Sequence, residues 1–223
     1  MANSQEALDL KSKLIAAGIV GKISTSSFEL AGVTVQGLDK SVAGYSLQSW
    51  LEAWMTANGI YHRSPANSQE SPDFFLSPKL NTAALEVKAF DYDASANFDI
   101  SNFEAFLQLL VEEPYHLNAD YLILGYSANS SNEISIKEIW LKKIWEITGP
   151  MNGREVRVQV KKKVIYNIRP IHWYSTRSTF RAFGTQSAFL TALYWLLNSY
   201  RGAKAAEEWR VNFQNSSGVE ITV

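Results

Sequence analysis

Apolar positions along this chain switch between helical and strand spacing, so the sequence reads as a mixture of helices and strands. Ser4–Ala17 reads as a helix capped by Asn3 or Ser4 and stopped by Gly18. Ser27–Gln36 alternates around Gly32 and predicts one or two short strands. In Ser41–Asn58 the residues Leu47, Trp50, Leu51 and Trp54 share one helical face, and Gly59 closes the segment. After a polar loop, Ser64–Ser71, strands are expected at Asp73–Ser77 and Ala83–Phe90 with a turn through Pro78–Asn81. Asp91–Asp99 reads as a loop. Ser101 and Glu104 then match a capping box opening a helix over Asn102–Glu113. Ala119–Ser127 is almost wholly apolar, as a strand buried on both faces would be. Glu133–Ile147 starts as a strand and becomes ambiguous, and Glu155–Ile168 alternates. Thr185–Tyr200 is apolar nearly all round, a helix of the core or of a subunit interface, and an amphipathic segment with Trp209 ends the chain. No internal repeat is visible.

Composition narrows the class. Hydrophobic residues make up 46% and charged residues 19% of 223, which excludes a disordered chain and suits one domain or one with a small appendage. The absence of cysteine removes disulfide frameworks, thiolate zinc sites and cysteine nucleophiles. The first residues show no signal peptide, and the longest apolar run, within Ala188–Leu197, is short of the ~20 residues a bilayer span needs. A soluble, cytoplasmic protein with no membrane partner is expected.

The formal net charge of −1 hides an asymmetry. Residues 1–136 hold 7 Lys+Arg against 16 Asp+Glu, a balance of −9. Residues 137–181 hold 11 against 3, a balance of +8, and the remainder is neutral. A basic block of this kind is either a solvated sheet face or the footprint of a phosphate backbone. It suggests a division into a core at 1–136 and a basic, helical region at 137–223, packed together as one domain.

Ser71–Leu76 and Ala84–Ala89 carry the chemistry. On the second strand Glu86 and Lys88 point to one face, Leu85, Val87 and Ala89 to the other. If the two strands pair through the Pro78–Asn81 turn, Asp73 lies level with Glu86. Two carboxylates, the Val87 carbonyl and an ammonium then converge, a partial oxygen shell for Mg²⁺ with a lysine beside it to orient or deprotonate a water. A Glu-x-Lys in a strand is otherwise a surface ion pair, and Pro-Asp is ordinary turn chemistry.

Pro72-Asp73, twelve intervening residues and Glu86-Val87-Lys88 resemble the motif of the PD-(D/E)XK nuclease superfamily. The resemblance implies a restriction-endonuclease-like fold, a central mixed β-sheet flanked by helices, with Asp73 and Glu86 as metal ligands and Lys88 as catalytic lysine. It also implies a glutamate on an earlier helix beside the metal, a position that Glu52 fits; on its own pattern Glu52 reads first as a plain exposed helix residue. Residues 102–113 and 119–127 match the helix and strand expected after the motif.

The basic block reads differently in that light. Arg154, Arg157, Lys161, Lys162 and Lys163 are suited to phosphate contacts. The run from Arg169 to Arg181, with His172 and Arg177, combines the donors, hydroxyls and rings that read base edges. The alternative is that Trp173, Tyr174 and Phe180 are core and the arginines solvated. Gly59-Ile60-Tyr61 lacks a Tyr-Ile-Gly partner, the three histidines have no metal-pair spacing, no phosphate loop is present, and no Gln-x-x-x-Tyr follows the Glu-x-Lys. The expectation is a Mg²⁺-dependent type II restriction endonuclease. It would cut a short palindromic site in double-stranded DNA to 5′-phosphate and 3′-hydroxyl ends, as a homodimer, with a DNA methyltransferase as genetic partner. A structure-selective repair or junction nuclease, or a non-catalytic DNA-binding protein, is the alternative.

Overall fold

The computed structural model describes residues 2–25, 27–36, 42–65, 67, 71–129 and 133–223. In chain order it runs α1 (Gln5–Ala16), β1 (Ile23–Ser24), β2 (Ser27–Leu30), β3 (Val33–Gln36), α2 (Ala43–Ala57), β4 (Phe74–Phe75) and β5 (Ala84–Asp91). There follow β6 (Ser101–Asn102), α3 (Phe103–Glu112), a 3-10 turn (Pro114–Asn118), β7 (Asp120–Ala128), β8 (Ile134–Lys142) and α4 (Ile144–Ile147). The chain ends with β9 (Val158–Lys161), β10 (Val164–Ile168), α5 (Gln186–Arg201) and α6 (Ala203–Ser217). These elements form two compact units, residues 2–96 with 119–142, and residues 97–118 with 143–223. The boundary expected at 136/137 falls inside β8.

The first unit is built on a mixed sheet in the order β1-β8-β7-β5-β4. Only β5 and β7 run parallel. β7 is buried along nearly its whole length, as its apolar run requires. Leu85 and Val87 of β5, Leu122, Leu124 and Tyr126 of β7, and Ile136 and Ile139 of β8 face α1 and α2. Helix α1 presents Ala7, Leu10 and Leu14, and α2 presents Ala43, Leu47, Leu51 and Met55. Trp50 and Trp54 stand at the edge of this stripe, half-buried. Ser4 caps α1 by accepting from the Ala7 N–H at 3.3 Å, and its hydroxyl donates to Asp120 at 2.6 Å, tying the helix start to β7. The N-terminal residue expected for α2, Ser41, lies outside the described residues, as does part of the 64–71 loop. The strand expected at Asp73–Ser77 shortens to Phe74–Phe75; Phe75 exchanges both backbone hydrogen bonds with Arg63 on one side, and β5 pairs on the other. β2 and β3 form a separate hairpin.

In the second unit β6, β10 and β9 make a three-stranded sheet, and α3, α5 and α6 pack together. Ser101 does not cap α3: it pairs with Ile168 in the sheet, so the cap moves one residue on, where Asn102 accepts from the Ala105 N–H at 3.0 Å. Glu104 instead binds Arg201, with Nε at 2.7 Å. Helix α5 is core: Phe189, Leu190, Leu193, Leu196 and Leu197 are buried within the chain, so it leaves no apolar face for a subunit interface beyond Trp195. Trp209 of α6 is held by its indole N–H on the Leu107 carbonyl at 3.0 Å.

Between α4 and β9 the backbone is irregular but bonded. The Arg157 N–H reaches the Gly149 carbonyl at 2.8 Å, and the Phe183 N–H reaches Thr148 at 3.1 Å. A Cβ on Gly149 would lie 2.2 Å from the Arg181 carbonyl oxygen. Gly149→Ala must therefore push two backbone segments apart. Thermal unfolding should show a loss of about 1–3 kcal/mol, and an unchanged midpoint would contradict this packing.

Candidate active site

The β4–β5 register brings the carboxylates together. Phe74 pairs with Leu85 and Phe75 with Ala84, so one step further Asp73 stands opposite Glu86, as the sequence predicts. Leu85 and Val87 enter the core, which turns Glu86 and Lys88 to the other face. Glu86 is buried. Its Oε2 lies 3.2 Å from the Lys88 ammonium, and its Oε1 accepts from the Ser71 hydroxyl. Asp73 Oδ2 accepts from the Val87 N–H at 2.7 Å, and Oδ1 accepts from the Gln48 side-chain amide of α2 at 2.9 Å. Each carboxylate is thus oriented by a neutral side-chain donor, Gln48 for Asp73 and Ser71 for Glu86.

Burial and then the nearby Glu86 charge push Asp73 up from the usual 3.8 to about 6, against the opposing pull of Lys88 and its two hydrogen bonds. Tyr121 of β7 lies beside Glu86 in the parallel register. Burial, with the Glu86 and Asp73 charges, raises its phenol well above the ordinary value, so it stays protonated at neutral pH.

Glu52 lines a cavity of about 280 Å³ that Gln48 and Asp73 also line. It is exposed on α2, and its Oε1 takes the Ser64 hydroxyl at 3.0 Å. Among the described residues, no three His, Asp or Glu side chains form a metal-holding group. The two carboxylates that stand opposite one another are those of Asp73 and Glu86. Two hard oxygens held close at a cost in charge repulsion fit a divalent cation that keeps part of its water shell, as Mg²⁺ does. Gln48 and Ser71 were not among the residues singled out by sequence. Gln48 lies one helical turn before Glu52, and an amide donor there gives no signal to a search for acids.

The basic residues of the second unit divide by how they are bonded. Arg157 donates to the Pro170 carbonyl and to Asn97 Oδ1 (3.2 Å). Arg169 donates to the same Asn97 oxygen at 2.7 Å and pairs with Asp99 at 2.8 Å. Burial and then the Arg169 charge lower the Arg157 pKa, and burial and then Arg157 lower that of His172, which is therefore neutral at pH 7. Arg181 caps the Ser178 carbonyl at 2.9 Å, and Lys161 lies over the Tyr166 ring at 5.3 Å. Lys162, Lys163 and Arg177 are exposed. Trp173, Tyr174 and Phe180 are half-buried, with Trp173 against Phe98 and Tyr174, so they are neither full core nor free rings.

A mixed α/β sheet flanked by helices, carrying an Asp, a Glu and a Lys on adjoining strands, is the architecture of a PD-(D/E)XK nuclease core. The chain belongs to the NgoBV restriction endonuclease family, which it matches over residues 2–221. It is similar to the type II restriction enzyme NlaIV of Neisseria lactamica, 42% identical over 149 residues, 66% of this chain and 61% of that enzyme. It is also similar to the type II restriction enzyme NgoBV of Neisseria gonorrhoeae, 34% identical over 136 residues, 60% of this chain and 77% of that enzyme. The solved NlaIV restriction endonuclease superposes with a TM-score of 0.88 at 32% identity, covering 97% of this chain and 92% of that one.

The raised Asp73 pKa has a consequence for stability. A carboxylate whose folded value lies above its unfolded one favours the folded state when protonated, so stability falls as pH rises from about 4 to about 6. In chelator, Asp73→Asn should be more stable than the parent at pH 7–8 by about 1–3 kcal/mol, and the gap should close below about pH 4. Urea unfolding at several pH values measures this; a variant less stable at every pH would contradict it.

Proposed function

We propose that this protein is a type II restriction endonuclease that cleaves double-stranded DNA at a specific short palindromic sequence with Mg²⁺, giving 5′-phosphate and 3′-hydroxyl ends. The observation that carries the reading is that Asp73 and Glu86 stand at one level of the β4–β5 pair with the Lys88 ammonium 3.2 Å from Glu86. Asp73, Glu86 and the Val87 carbonyl are the proposed ligands, with Glu52 at the margin of the cavity. A divalent cation held there would lower the pKa of a water and offset charge on the scissile phosphate. Gln48 and Ser71 keep the two carboxylates turned toward it. Lys88, a half-buried cation bonded to Glu86, orients or deprotonates the attacking water and balances the charge gained as the phosphate is attacked.

The basic segment of the second unit is the proposed grip on DNA. Lys161, Lys162 and Lys163 suit phosphate contacts. Arg177 and Arg181, with His172 as a neutral partner able both to donate and to accept, suit base edges. Arg157 and Arg169, already bonded to Asn97, hold that segment in shape and exchange partners where DNA approaches. A two-fold target cut on both strands is matched by a two-fold protein, so a homodimer is proposed. A cytoplasmic location is proposed, in keeping with a DNA target; no described helix is long and apolar enough to cross a membrane. A DNA methyltransferase that protects the host's own sites is the expected genetic partner.

Plasmid cleavage in Mg²⁺ tests the reading. The parent should give discrete bands, while Asp73→Ala and Lys88→Ala should lose them, with rates down at least about 10³-fold, and still bind DNA. Absence of cleavage on every duplex tried, or full activity in both variants, would overturn it.

A further inference from the structure

The turn between β9 and β10 is made of residues that do not suit its backbone. Lys161 pairs with Val164, leaving a two-residue loop of Lys162 and Lys163. Their φ angles are +48° and +68°, both left-handed. A two-residue hairpin loop with positive φ at both positions is the type I′ turn, whose preferred pair is Asn-Gly because Cβ crowds the following carbonyl there, a cost that glycine avoids and the short asparagine amide offsets by local hydrogen bonding. Here both positions carry long, charged chains. Neither makes an ion pair among the described residues, and both are exposed. The third lysine, Lys161, lies over Tyr166 within the hairpin, which leaves the tip to Lys162 and Lys163.

A backbone that favours Asn-Gly but carries Lys-Lys is accounted for by a use of the ammonium groups that outweighs the turn preference. Lysine is a compact charge on a flexible stem, suited to a phosphate oxygen and less fixed in direction than the planar fork of arginine. We propose that the Lys162-Lys163 turn is a sequence-independent phosphate clamp, a turn kept in an unfavourable conformation because its two charges grip the DNA backbone. The proposal rests on the DNA-binding reading above and adds to it that this tip supplies affinity, not sequence choice.

The test replaces Lys162→Asn and Lys163→Gly together, the pair the turn prefers. The double variant should melt a few degrees higher than the parent. It should bind labelled duplexes of unrelated sequence, in Ca²⁺, at least about 10-fold more weakly near 0.1 M salt, by the same factor on each. The slope of log affinity against log salt should be shallower by about 2. A control that removes two exposed lysines elsewhere, Lys79→Gln with Lys204→Gln, should shift neither melting nor binding by a comparable amount. If the turn variant melts higher yet binds every duplex as the parent does, the clamp is refuted and the DNA reading stands. A lower melting point would refute the claim that the turn opposes its residues. A parent that binds no duplex at all would remove the DNA reading itself, and the clamp with it.

Discussion

The carboxylate cluster depends on how one of its members, Asp73, is held. Asp73 lies just before a two-residue strand, where little backbone pairing constrains it, yet both of its oxygens are spoken for. One takes an N–H from the middle of β5 and the other an amide from α2. Through these bonds the helix, the short strand and the motif strand are fixed against one another at a single point. Neutral donors can hold a carboxylate without cancelling its charge. That leaves Asp73 and Glu86 close together, mostly dry and mutually repelling, which raises the Asp73 pKa. The arrangement costs the empty protein stability and gains it an appetite for positive charge.

The sheet supplies the rigidity for this. β5 is paired along its length to β7, and β7 to β8, so the strand that carries Glu86 and Lys88 has no free edge on that side. Its alternate residues are anchored in the core under α1 and α2. Turning the strand so that Glu86 faced away from Asp73 would require Leu85 and Val87 to leave that core. The bulge between Gly125 and Tyr126 shifts the β7–β8 register far from the Glu86 level, so the site remains in the regular part of the sheet.

Much of this was legible in the residues because it follows from period and register. The two-residue alternation of β5 separates Glu86 and Lys88 from Leu85 and Val87, and a short turn after β4 puts Asp73 opposite Glu86. What could not be read depends on contacts distant in sequence. Ser101 satisfies the local capping pattern but is drawn into a strand by Ile168, and the cap passes to Asn102. Glu52 is the acid on α2 that the motif resemblance points to, whereas the helix touches Asp73 through Gln48. The charge blocks also soften on folding. Residues 97–118 bring Asp99, Glu104, Glu112 and Glu113 into the unit of the basic segment, and Asp99 pairs directly with Arg169. The two units carry 9 Lys+Arg against 13 Asp+Glu and 12 against 9, so the contrast of −9 and +8 along the chain becomes −4 and +3.

The chain passes from one unit to the other at 96–97, 118–119 and 142–143. A single genetic crossover therefore cannot exchange one unit and keep the other whole. Each unit is assembled from separated stretches of the gene, and any recombinant inherits a patchwork of both. A protein threaded in this way does not lend itself to the exchange of either unit as a cassette; each unit varies by substitutions at individual positions.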